Sequence, residues 1–156
     1  MSPLAVHPRV LCLHRPREAA TLATQLHARG FAVAQAYSYD DAIAALARFR
    51  PHAIVADVDL GEAGGLQLLR RVATVVDAHA PLAWVALSSA EQVPSLPRAG
   101  GALVHTPCPP FVIVTALCRV LAAMAAGRGA AGLALARLLG FARARAPGRR
   151  HFVPRP

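Results

Sequence analysis

Four apolar runs in this chain each end abruptly on side chains capable of chemistry. RVLCL is followed by His14 and Arg15, and HAIVA by Asp57 and, two residues on, Asp59. PLAWVAL is followed by Ser88 and Ser89, and ALVH by Thr106, Pro107, Cys108 and Pro109. Carboxylates at this spacing can accept a phosphoryl group or supply oxygen to a divalent cation. Arg15 can pair with Asp57 or Asp59, bidentately where the geometry allows, and a carboxylate beside a guanidinium stays ionised. Cys108, His14 and Asp57 also have the residue types of a nucleophilic thiol with its base, and Cys with His could bind a soft divalent metal. No sequence motif accompanies that second set, and buried cysteines are as a rule inert packing residues. The glycines of GEAGG (61–65) are not a phosphate loop, because neither GxGxxG nor a Gly-Lys-Ser/Thr step is present.

These side chains converge only if the runs before them lie side by side. RVLCLH (9–14), FAVAQA (31–36), HAIVAD (52–57), PLAWVALS (81–88) and ALVHT (102–106) are short and continuously apolar, the pattern of strands buried on both faces. Between them lie helical segments. Pro16 opens 17–30, with Leu22 and Leu26 at helical spacing and Gly30 as the stop. Ser38 and Asp41 have capping-box spacing ahead of Ile43 and Leu46, and Pro51 closes that element. LQLLRRVATVVDAH (66–79) is a third helix, and a long one covers 111–126. Residues 89–101 start like a helix, but Pro94 and Pro97 limit it to a turn or two. Alternating strands and helices with short connections require crossovers, hence an α/β fold with a five-stranded parallel sheet in a three-layer α/β/α sandwich. In such a sheet ligands sit at the carboxyl ends of the strands, where His14, Arg15, Asp57, Asp59, Ser88 and Cys108 all fall.

Composition narrows the classes. The chain of 156 residues is 55% hydrophobic and 16% charged, which excludes a wholly disordered protein. All 17 basic residues are Arg, and no Lys or Asn occurs. Residues 1–125 hold 10 of the arginines and all 8 acids, whereas 126–156 hold 7 arginines and no acid. Two units are expected: a body over 1–126 and a basic, Ala/Arg-rich extension over 127–156. The extension reads as a short helix at 133–146, with Leu135, Leu138, Leu139 and Ala142 on one face, followed by a disordered end. Such a tail can touch nucleic acid through charge alone, but it lacks the two helices of a helix-turn-helix; a solvated or docking role is the expectation. The three cysteines make no disulfide framework, and Cys12 and Cys118 read as core. Trp84 reads as packing, and His7, His27, His52, His79 and His151 as solvated. The start MSPLAVHPRV has no secretion signal, and 111–127 contains Arg119 and is short for a span, so a cytoplasmic location is expected, with no membrane contact.

HAIVADVDLGEAGGLQLLRRV, WVALSS and GALVHTPCPPF make the chain resemble the receiver domain of bacterial two-component response regulators over roughly 9–125. The resemblance implies a flavodoxin-like fold and a phosphoryl-accepting Asp at Asp57. It also implies a glycine beginning the next helix at Gly65, a hydroxyl at Ser88, and the proline of a Lys-Pro step, usually cis, at Pro109. The departures are equally specific. The adjacent acids that hold Mg²⁺ in the family are His14 and Arg15 here, the phosphoryl-contacting Lys is Cys108, and the strand-five aromatic is His105. Phosphoryl transfer needs its developing charge neutralised, and an arginine beside the site repels Mg²⁺. The expectation is therefore a non-enzymatic, pseudo-receiver signalling module of a phosphorelay. It uses no cofactor, has Arg15 as an internal cation, and contacts a histidine kinase or a downstream effector. The alternatives are an ordinary regulator phosphorylated on Asp57 with Mg²⁺, and a charge-driven nucleic-acid binder. Helix 111–126 is apolar nearly all round, more than one sheet-facing side requires, so the 133–146 helix or a second copy is expected to cover it.

Overall fold

β-Branched and aliphatic runs build five strands: β1 (Arg9–Leu13), β2 (Ala32–Ala36), β3 (Ala53–Asp57), β4 (Ala83–Ser88) and β5 (Gly101–His105). The computed structural model of the protein describes residues 7–61, 64–75, 82–91, 93, 96, 97 and 100–126. All pairs are parallel and the order is β2-β1-β3-β4-β5. This is the expected doubly wound sheet, and strand order reverses between β1 and β3. Every residue of β3 and β4 is buried, which explains why those runs show no polar alternation.

Four helices cover the faces: α1 (Pro16–Ala28), α2 (Tyr39–Phe49), α3 (Gly64–Val75) and α4 (Pro110–Ala126). Pro16 starts α1, where its missing N–H costs nothing, and Gly30 turns the chain out of it at φ +87°. Ser38 caps α2 by accepting the Asp41 N–H at 3.1 Å. Arg50, in the left-handed region just before Pro51, ends it. Alternation along the strands sends side chains to two separate cores. On one side Val10, Cys12, Val55, Val85 and Leu87 meet Leu22 and Leu26 of α1 and Ile113, Leu117 and Leu121 of α4. On the other, Leu11, Leu13, Ile54 and Ala56 meet Ala42 of α2 and Leu68, Leu69 and Val72 of α3. Each fully buried leucine contributes roughly 1.5–3 kcal/mol relative to exposure.

Between β4 and β5 the expected helical turn is absent among the described residues. Trp84 takes over its covering role. The indole is 6% exposed and lies flat on Gly101, its register partner, so closely that a Cβ there would overlap the ring. Leu82, Leu96 and Leu103 pack beside it. Trp84 is thus packing, as its sequence context suggests, and it substitutes for a secondary-structure element.

The apolar surplus expected on the 111–126 helix is smaller than its sequence implies. Val112, Ala116, Val120 and Met124 are partly buried against the core. The outer stripe is Phe111, Thr115, Arg119, Ala123 and Ala126, in which only Phe111 is a large exposed hydrophobe. The expected 133–146 helix and the basic end lie outside the described residues, as do His79 and His151. Three other histidines are engaged rather than solvated: His52 Nδ1 accepts the Arg9 N–H at 2.9 Å, while ring nitrogens of His7 and His27 meet the Gly30 and Phe31 carbonyls. Among the described residues no helix is long and apolar enough to cross a membrane.

Candidate functional site at the carboxyl rim

Pairing of Leu13 with Ala56 sets the next residues of β1 and β3, His14 and Asp57, side by side at the switch point. Leu87 opposite Asp57 and His105 opposite Ser88 bring the β4 and β5 ends to the same rim. A cleft of about 460 Å³ opens there, and His14, Arg15, Asp57, Asp59, Ser89, Thr106 and Cys108 are among its lining. Sequence reasoning therefore gathers the right neighbourhood, with α1 contributing Arg17, Glu18 and Thr21 as well.

Within it the pairing differs from expectation. His14 Nδ1 lies 3.2 Å from Asp57 Oδ2, and both side chains are largely withdrawn from solvent. Arg15 is exposed, and its guanidinium makes no ion pair or hydrogen bond among the described residues. The internal partner of Asp57 is the imidazole and not the guanidinium. The reason is geometric: neighbours in extended chain point to opposite sides, and Arg15 is already the N-cap of α1 with extended dihedrals. Its charge still reaches the rim, adding weakly to what holds the Asp59 carboxyl below its ordinary range.

Asp59 is fixed by β4. It accepts the Ser89 N–H at 2.8 Å, the Ser89 hydroxyl at 2.9 Å and the Ser88 hydroxyl at 2.9 Å. The Ser89 N–H is the main reason its carboxyl stays ionised to lower pH, against a small opposing effect of burial. The Asp59 N–H in turn donates to Asp57 Oδ1 at 2.9 Å. Gly65 packs against the Asp57 backbone, where a Cβ would overlap the carbonyl, so the glycine expected at the start of α3 is required for close approach of helix and strand.

The resemblance set the Lys-Pro step on Cys108 and Pro109, but the cis peptide bond is Thr106–Pro107. Thr106, whose N–H bonds the Ser88 carbonyl at 2.9 Å, is the first residue beyond β5. Thr106 rather than Cys108 therefore stands at the strand end, and the same two-residue shift moves the aromatic position from His105 to Leu103. The two X-Pro steps so close together hid this register in the sequence. Burial pushes the Cys108 thiol up, which disfavours a thiolate nucleophile. Cys12 is pushed up to about 12 by burial, in keeping with a core residue, and Cys118 is raised for the same cause. No cluster of three metal-ligating side chains occurs among the described residues.

A hard divalent cation does not fit this donor set. One Asp57 oxygen receives a backbone N–H and the other faces His14, while both Asp59 oxygens are held by serine donors. The remaining positions offer an imidazole and two guanidiniums, the opposite of the oxygen-rich shell Mg²⁺ requires.

No protein-family profile and no curated protein sequence matches the chain. Solved structures do. A chemotaxis response regulator of Vibrio cholerae is 18% identical with a TM-score of 0.62, covering 74% of this chain and 99% of its own. A two-component response regulator from Clostridium difficile is 17% identical with a TM-score of 0.63, covering 76% and 98%. A CheY-like receiver domain from Methylobacillus flagellatus is 18% identical with a TM-score of 0.59, covering 73% and 98%. The strand order, the helices on both faces and these neighbours together show that the chain has the fold of a response-regulator receiver domain.

Proposed function

We propose that this chain is a receiver-like signalling module of a two-component phosphorelay, acting through protein contacts and without Mg²⁺-dependent phosphorylation of Asp57. The observation that carries this reading is the 3.2 Å contact between His14 and Asp57. In it the metal-binding position is filled by a side chain, and the acceptor oxygen is engaged by that side chain in place of a cation. Phosphoryl transfer to a carboxylate brings two anions together and depends on metal and fixed cations to neutralise them. Here Thr106 stands at the β5 end, supplying a hydroxyl and no charge. The chain itself carries no enzymatic activity in this reading. Its partners are a histidine kinase or a downstream effector, and a second copy of the chain would meet it along the outer stripe of α4 headed by Phe111, 60% exposed.

Incubation with acetyl phosphate and Mg²⁺, read by intact mass, tests the proposal. No adduct on Asp57 is expected. A stoichiometric single-phosphoryl gain that disappears in Asp57→Ala overturns it and restores the ordinary regulator.

A further inference from the structure

We infer that the rim carries a metal-free phosphoryl acceptor: His14 Nε2, oriented by Asp57, takes a phosphoryl group from a donor of the phosphoramidate class. The inference rests on the reading above and deepens it, moving the acceptor from the carboxylate to the imidazole beside it.

The tautomer is the first step. His14 Nδ1 lies 2.9 Å from the Arg15 N–H and 3.2 Å from Asp57 Oδ2. It cannot accept from one and donate to the other with the same lone pair or proton. A bare Nδ1 lone pair facing a carboxylate would be repulsive, whereas the Arg15 N–H belongs to an exposed residue that water can serve. Asp57 therefore holds the proton on Nδ1, which leaves the lone pair on Nε2. Nε2 has no hydrogen-bond partner among the described residues, and the ring lines the cleft.

The second step is charge. A neutral imidazole, unlike a carboxylate, does not repel an incoming phosphoryl dianion, so it does not need a divalent ion to approach one. Arg15 and Arg17 stand on the same cleft wall, with Glu18 as the opposing charge, and guanidiniums suit phosphoryl oxygens. In the reaction the Nε2 lone pair forms a bond to phosphorus. The donor's phosphorus–nitrogen bond breaks, and its electron pair leaves with that nitrogen. One P–N bond replaces another and nothing is oxidised. The imidazole then carries the phosphoryl group on Nε2 and the proton on Nδ1, and Asp57 Oδ2 accepts from that proton.

The test uses the full chain with potassium phosphoramidate and EDTA, followed by site mapping of peptides handled at neutral to basic pH. The chain holds 7 histidines, so the others serve as internal standards. His14 is expected to label at least about tenfold faster than any of them, in an acid-labile, base-stable form, with Asp57→Asn lowering it to their rate. Labelling of His14 no faster than the rest overturns the inference and leaves the proposed function standing. So does a His14 rate unchanged in Asp57→Asn. A base-labile adduct on Asp57 that requires Mg²⁺ and vanishes with EDTA overturns both. The ratio among histidines in the unaltered chain decides the matter even where Asp57→Asn does not fold.

Discussion

Gly65 and Gly101 mark two regions of the same sheet where a neighbour comes too close for a Cβ, and the neighbours differ in kind. At the start of α3 the neighbour is the backbone of Asp57, so a helix is drawn tight onto the functional rim. At the start of β5 it is the indole of Trp84, so a side chain is drawn tight over a face that lacks a helix among its described residues. Backbone cannot step aside without moving the strand that carries it. A ring can, at the cost of its own packing. The rim is therefore held by main chain and the β4–β5 face by one residue.

The largest expected effect follows from that dependence on one side chain: Trp84→Ala should destabilise by about 3–5 kcal/mol in denaturant unfolding. A loss under about 1 kcal/mol would mean that the face is covered by something else. Gly65→Ala should cost about 1–3 kcal/mol, and it should shift backbone amide resonances of Val58 and Asp59 because the carbonyl of Asp57 must move. Gly101→Ala should cost about 1–3 kcal/mol in the native background but close to nothing once Trp84 is Ala. An equal penalty in both backgrounds would separate Gly101 from the indole. Away from both regions, Ser38→Ala should cost about 1 kcal/mol by leaving the Asp41 N–H without its cap.

The smallest effect is in pH dependence. Asp59 has its folded-state value depressed, chiefly by the Ser89 N–H. Its contribution is present above the unfolded carboxyl range and fades as pH falls through the lower, folded value. Asp59→Asn should therefore flatten the acid limb of a stability–pH curve and leave the alkaline limb unchanged.

Much of this was readable from residue order, and the remainder failed for identifiable reasons. Continuous apolar runs marked all five strands because burial on both faces removes alternation, and Ser38 with Asp41 marked the α2 cap because the hydrogen bond is local. The rim residues were legible as a group, since strand ends are fixed by topology. Which of His14 and Arg15 turns toward Asp57 was not, because adjacent residues share every sequence-level cue and differ only in the direction of one bond vector. The register after β5 was ambiguous because prolines at 107, 109 and 110 offer several equivalent readings. The role of Trp84 over Gly101 is a cross-strand fact, invisible until Trp84 and Gly101 are known to be opposite one another.

Trp84 is the chain's single tryptophan. Seated on a glycine and nearly shut off from water, it makes the protein its own optical gauge. A red shift in emission reports the lifting of one particular indole from one particular strand, so partial opening of that edge can be followed by fluorescence before the rest of the molecule lets go.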